Sequence, residues 1–201
     1  MKQEERRKET IRLLIATVHT LLGTKSCDEI RMKDITRASG LSTGAVFHYV
    51  NSMEELFALV LNKHLEEVND RFMERVDMET NNFQGPFQAI TQGLAQLEDP
   101  EEMTNKMLMY LLGKSGQPPV AASLQAFYEY WVRLSRTWIE TGQQHGVIPD
   151  TVRAGWAAEL FVLISFGLRT RSMIPSGSHT FRAVDFSDFI QTMLAPEGKG
   201  D

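Results

Sequence analysis

From about Thr10 to Leu22 the apolar residues Ile11, Leu14, Ile15, Val18, Leu21 and Leu22 recur three and four positions apart, the spacing of one helix face. A shorter pattern, Met32, Ile35 and Ala38, predicts a second helix over Met32 to Ser39. It stops at Gly40, a residue able to take positive φ. Ser42 stands where an N-cap belongs, its hydroxyl able to accept a backbone N–H. A capping box, Ser52-Met53-Glu54-Glu55, then opens a new helix near Met53. The helix between these two caps is thereby confined to about Thr43 to Val50. Beyond Met53, Leu56, Phe57, Val60, Leu61, His64, Leu65 and Val68 carry the next helix onward.

Further along, an irregular stretch around Asn81 to Pro86 precedes helices over about Phe87 to Leu97 and Glu102 to Leu112. "GKSGQPP" breaks the chain before a long helix from about Val120 to His145, which Gly146 ends with Pro149 just beyond. Asp150 reads as the cap of a helix over about Thr151 to Ser172, and "IPSGSH" separates it from a last one over about Phe181 to Leu194. No strand-period alternation, internal repeat or low-complexity tract appears. The expected fold is all-α, with about nine helices.

The net charge of −5 over 201 residues conceals an asymmetry. Residues 1 to 64 carry a formal charge of +2 and the remainder −7, so the mildly basic end is the amino-terminal one. One cysteine, Cys27, excludes an internal disulfide and offers no zinc cluster, and a buried thiol is the expectation. Met1 to Lys8 is charged, with no apolar signal region after it. The most apolar run, Leu160 to Leu168, is about half of the roughly 20 residues a membrane span needs. A cytoplasmic protein without a membrane partner is expected.

Two short helices joined by a Gly-containing turn of about three residues make a helix-turn-helix, whose second helix is built to lie in a DNA major groove. Exposed aromatics at Phe47 and Tyr49 would then meet a partner outside the protein. The apolar first helix, the unit "MKDITRASGLSTGAVFHYV" and the restart "NSMEELF" together resemble the TetR family of bacterial one-component transcriptional regulators over about residues 10 to 58. "GQQHGVIPD" ahead of a very apolar helix is similar to that family's entry to its penultimate helix. The resemblance implies a three-helix DNA-binding domain over residues 1–52 and a ligand-binding and dimerisation domain over 53–201, with the fourth helix as connector. It implies a homodimer built on the last two helices, and a small molecule that changes the separation of the DNA-binding ends. The chain also departs from the family pattern. Phe47 stands for the usual Tyr, Met53 for a Lys that contacts phosphate, Arg31 for a Thr cap and Ser26 for a Gly. Phosphate contacts supply much of the affinity, so these departures predict weak DNA binding, offset in part by Arg31 and Lys33.

The resemblance places Ser42, Thr43, Gly44, Ala45, Phe47, His48 and Tyr49 at the DNA, with Arg31 and Lys33 beside them, while Val46 and Val50 pack inward. Thr43 or His48 would read base edges, Ala45 a thymine methyl, and Tyr49 a phosphate. Met103, Met107, Tyr110, Phe127, Tyr128 and Trp131 offer the adaptable thioether and ring surfaces of an apolar ligand pocket, although for any one of them a plain core is the favoured reading. Glu159, inside "WAAELFVLISFGL", either meets a cationic ligand or an Arg across the dimer, or faces solvent. Trp156, Leu160 and Leu163, with Phe189, Ile190 and Met193, make the last two helices apolar on too many sides for one core and predict a two-fold interface. No phosphate loop, HExxH or nucleophile elbow is present, and the five histidines are scattered, so neither catalysis nor a cofactor nor a metal is expected. The leading reading is a repressor released from its operator by a hydrophobic small molecule. Its rivals are an interaction module with a degenerate head and an all-helical small-molecule enzyme.

Overall fold

The computed structural model describes residues 3–78, 84–175 and 178–195. The regular structure among them is helical throughout: α1 Gln3–Leu22, α2 Met32–Ser39, α3 Thr43–Phe47, α4 Met53–Met78, α5 Gln84–Thr91, a 3-10 turn Leu94–Glu98, α6 Met103–Gly113, α7 Pro118–Gln144, α8 Ala154–Ser172 and α9 Ala183–Leu194. No helix among the described residues is long and apolar enough to cross a membrane.

Most of the punctuation read from the sequence is where it was expected; the exception is Asp150, since Arg153 holds the N-cap position of the penultimate helix. Gly40 has φ 70° and Gly146 φ 69°, each in the left-handed conformation that ends a helix. Ser42 Oγ accepts the Ala45 N–H at 3.2 Å and Ser52 Oγ the Glu55 N–H at 3.1 Å. Glu55 in turn reaches back to the Asn51 N–H at 2.7 Å, closing the cap of α4.

Four boundaries differ. α1 begins about two turns earlier, through polar helix formers and the Glu4–Lys8 pair at 3.5 Å. The third helix is shorter, ending at Phe47 with a turn through His48 and Tyr49. The expected single helix over Phe87 to Leu97 is α5 plus a 3-10 turn, divided at Gly93. α8 begins at Ala154, because the Gln143 side chain donates to the carbonyls of Pro149 and Val152, at 3.1 and 2.8 Å, and holds that segment as a turn. Of the irregular stretch expected around Asn81 to Pro86, residues 81–83 lie outside the described residues and the rest is the first turn of α5.

The chain divides into two compact units, Met1–Asn62 with Lys106–Gln125, and Lys63–Asn105 with Ala126–Asp201. The boundary thus lies ten residues beyond residue 52, and a later segment joins the first unit. The interior of that unit is built from Leu14, Val18, Ile30, Ile35, Val46, Leu56 and Phe57, none of which is exposed at all. Cys27 belongs to this interior, and burial, with Asp28 adding to it, pushes its thiol up to about 11. It remains protonated and unreactive at neutral pH. Glu54 at the start of α4 accepts from Tyr110 Oη at 2.9 Å and Lys114 Nζ at 2.8 Å, which ties α6 into the unit, and Phe57 meets the Tyr110 ring edge-on at 5.3 Å.

The second unit is held by rings and by one shared carboxylate. Phe161 stacks on Phe186 at 5.4 Å, and Trp138 lies 5.7 Å from Phe72 while its indole N–H donates to Asn69 at 3.1 Å. Glu98 accepts from Arg171 at 2.7 Å, Arg182 at 3.0 Å and the Ala183 N–H at 2.9 Å, joining the end of α8 to the start of α9. Burial alone would raise the Glu98 carboxyl, but the amide and the two guanidiniums hold it below the usual range.

Burial likewise works against the Glu54 charge, yet hydrogen bonds from Lys114, its own helix start and Tyr110 bring the carboxyl down to about 2. A depressed carboxylate stabilises the fold fully above its ordinary value of 4.5, and that contribution is lost as pH falls toward 2. Glu54→Gln is therefore expected to lower the midpoint of thermal unfolding at pH 7 and to flatten its decline over the acid range, as followed by circular dichroism at a series of pH values.

Candidate nucleic-acid interface and ligand site

A helix of five residues does not persist by itself. α3 exists because Ser42 satisfies one end and because Val46 and Val50, 0% and 2% exposed, anchor its inner side. The opposite side is thereby turned to solvent: Thr43, Gly44, Phe47 and His48 are exposed, and Ala45 and Tyr49 are half-buried. Phe47 is 45% exposed, unusual for a ring of its size. His48 and Tyr49 sit edge to face at 5.2 Å.

Gly44 stands apart. A Cβ added there would meet no atom within 4 Å, and its φ is not positive. A helical glycine destabilises by roughly 0.5–1 kcal/mol relative to alanine. Neither packing nor backbone geometry within this chain requires it.

The cations around α3 differ in availability. Lys33 is exposed, whereas the Arg31 guanidinium folds back onto the carbonyls of Asp28 and Ile30. Asp34 accepts the Arg31 N–H at 3.0 Å and pairs with Lys25 at 3.2 Å, which holds its carboxyl below the usual range. The extra turns of α1 bring exposed Arg6 and Arg7 onto the same unit, and Arg12 is exposed within the expected span; the sequence reading assigned none of the three to the interface. The helix-forming run from Gln3 to Glu9, with Glu4 and Lys8 four apart, was the available signal.

The expected ligand residues are divided between the two units. Phe127, Tyr128 and Trp131 gather around Phe166, with ring centroids 6.4, 5.7 and 5.5 Å from it, and Met103 is half-buried in the same unit. Met107 and Tyr110 belong to the other unit, Met107 fully buried and Tyr110 engaged with Glu54 and Lys114. Glu159 is exposed on α8, as in the solvent-facing alternative of the sequence reading, and lines no cavity among the described residues. A partly open apolar cavity of about 30 Å³ does exist, lined by Phe87, Trp138, Ile139, Phe161, Ile190 and Met193 among others. None of the seven expected residues lines it. Sites for drug-sized ligands measure roughly 300–1,000 Å³, so this one holds nothing larger than water unless its walls move.

The sequence reading also missed Arg169, a guanidinium only 6% exposed on α8. An Arg in the last turn of a helix normally faces solvent, and spacing alone gives no sign that this one turns inward.

Of the expected dimer residues, Trp156, Leu163 and Phe189 are 52%, 60% and 42% exposed, and Leu160 is half-buried. Ile190 and Met193 are corrected: both turn inward to line the cavity, Ile190 with 4% exposure. Val184, 64% exposed, stands on the outer side of α9 instead.

No protein-family model matches the sequence, and no curated protein is significantly similar to it. Solved structures match it along nearly its whole length. A Mesorhizobium loti protein assigned to the TetR family of transcriptional regulators shares 18% identity over 96% of both chains, with a TM-score of 0.63. The SmeT–triclosan complex shares 13% identity over 92% of this chain and 91% of its own, with a TM-score of 0.63. A protein from Saccharomonospora viridis, assigned as a transcriptional regulator and solved with choline, shares 17% identity over 93% and 96%, with a TM-score of 0.57. The chain has the TetR-family fold.

Ser42→Ala removes the cap of α3 and is expected to destabilise the first unit by about 1 kcal/mol. Amide hydrogen exchange at Ala45, whose N–H the serine accepts, checks this by accelerating.

Proposed function

We propose that this chain of TetR-family fold is a ligand-responsive transcriptional regulator that binds a pseudo-palindromic operator as a homodimer, and a repressor released by a hydrophobic small molecule. The observation that carries the reading is the outward side of α3, with Thr43, Gly44, Phe47 and His48 exposed on a short helix anchored by buried Val46 and Val50. A missing side chain on an exposed helix is explained when another backbone must come close, and a phosphodiester chain is such a partner.

The dimer reading is supported by large apolar side chains left exposed on the last two helices, Trp156 and Leu163 on α8 and Val184 and Phe189 on α9. Large exposed apolar residues gathered on neighbouring elements mark an interface. A two-fold pair would set two copies of α3 roughly 34 Å apart, the repeat of successive major grooves. Structural neighbours crystallised with triclosan and with choline support a small molecule as effector. Release is a population shift: the ligand favours a conformation that binds the operator less well, and a coupling of about 1–3 kcal/mol gives a 5- to 150-fold response.

One observation favours the rival in which α3 docks on a protein. Phe47 offers a ring without a hydroxyl, a better contact for an apolar surface than for phosphate. Salt separates the two. Operator affinity is expected to fall steeply with rising salt, with a log–log slope near −0.9 per phosphate neutralised, and Lys33→Ala to make the slope shallower by about one unit. Mobility-shift titrations on the DNA upstream of the coding sequence provide the measurement, and affinity indifferent to salt overturns the DNA reading.

Gly44→Ala makes a sharper test because its two effects have opposite sign. It is expected to stabilise the protein by about 0.4–1 kcal/mol through helix propensity and a less flexible unfolded chain. The same methyl is expected to weaken operator binding, as read by thermal unfolding and mobility shift on one sample.

A further inference from the structure

Arg169 is 6% exposed, and both of its hydrogen bonds leave from Nη1, to Thr104 Oγ1 at 2.8 Å and Asn105 Oδ1 at 2.5 Å. Nε is fully buried and donates to nothing. Among the described residues no carboxylate stands within ion-pair distance of it. Glu102 exerts the nearest opposing charge, but its carboxylate accepts the Thr104 N–H at 2.8 Å and caps the start of α6. Burial lowers the guanidinium to about 10, with Glu102 acting against that, so it is cationic at neutral pH.

Its two partners are neutral and cannot improve their service. Asn105 is fixed because its Nδ2 donates to the carbonyls of Gln96, Leu97 and Asp99 at 2.9, 3.3 and 2.8 Å, which leaves only Oδ1 for the arginine. The guanidinium carbon lies 5.4 Å from the Trp131 ring, and Trp131 packs with Phe127 at 5.7 Å and Phe166 at 5.5 Å. Tyr128 and Phe166 are half-buried and form the solvent edge of this cluster.

A charge withdrawn from water is fully stabilised only by an opposite charge. With Nη1 engaged, Nε and Nη2 present the side-on edge of the guanidinium, whose parallel N–H groups match the two oxygens of a carboxylate. A cationic ligand finds the face of Trp131 already covered by a cation. We propose that the effector is a hydrophobic carboxylic acid, its carboxylate taken by Nε and Nη2 of Arg169 and its apolar part laid against Trp131, Phe127 and Phe166. The proposal deepens the regulator reading and rests on it for the word effector; binding of the acid is a property of this unit alone.

The test compares phenylbutyrate, its amide and phenylbutylamine on the full-length protein without DNA, by tryptophan fluorescence titration and by thermal shift. The acid is expected to bind about tenfold or more tightly than the amide, with the amine weakest and acetate at equal concentration without effect. Arg169→Met is expected to erase the preference for the acid over the amide, and Arg169→Lys to retain part of it. The proposal is overturned by an amide or amine that binds as well as the acid, by an acid with no measurable binding, by acetate stabilising equally, or by a preference that survives in Arg169→Met. The comparison of probes on the unaltered protein needs no variant to fold. A mobility shift on the upstream DNA decides the regulator reading separately: acid binding without DNA binding overturns that reading alone, and DNA binding without acid binding overturns this inference alone.

Discussion

A helix of five residues has no stability of its own, and this constraint governs the amino-terminal unit. α3 is held by the Ser42 cap and by two valines that reach an interior shared with α1 and α2. Burying Val46 and Val50 leaves the residues between them no orientation but outward. The exposure of Phe47 and His48 is therefore a consequence of packing on the other side.

In the second unit, charge is handled in two contrasting ways. Glu98 is surrounded by two guanidiniums and a helix-start amide, so its burial is offset, and α8, α9 and the 3-10 turn are joined through it. Arg169, two residues before Arg171 on the same helix, has neutral acceptors and an aromatic face. The first arrangement is a structural joint, complete within the chain. The second leaves a buried Nε without an acceptor, beside the Trp131 ring. Gly44 and Arg169 are linked by the same logic: each departs from what the isolated fold would favour, one by lacking a side chain and one by burying a charge.

The caps made most of the architecture legible in advance. Gly40, Ser42, Ser52 with Glu55, and Gly146 each act within three or four residues, so their geometry is written locally. The same locality explains the misread edges. The earlier start of α1 depends on polar residues without an apolar stripe, and the late start of α8 depends on Gln143, whose side chain reaches from the preceding helix to the carbonyls of Pro149 and Val152. The first compact unit runs past residue 52 and takes in a later segment, and Glu54 finds its partners in that segment at Tyr110 and Lys114, some sixty positions away.

What the sequence determined by itself was periodicity and punctuation: which segments are helices, where the short one lies, and that Val46 and Val50 turn inward while Phe47 turns out. Helical spacing fixes relative orientation around one axis, and that was enough for the head. Only the tertiary structure decided which side of α8 faces the interior. It sent Glu159 outward and Arg169 inward, and turned Ile190 and Met193 from the outer side of α9 to a cavity wall. An amphipathic stripe that runs nearly all the way round a helix carries no inward direction, and the neighbours that assign one are far away in the chain.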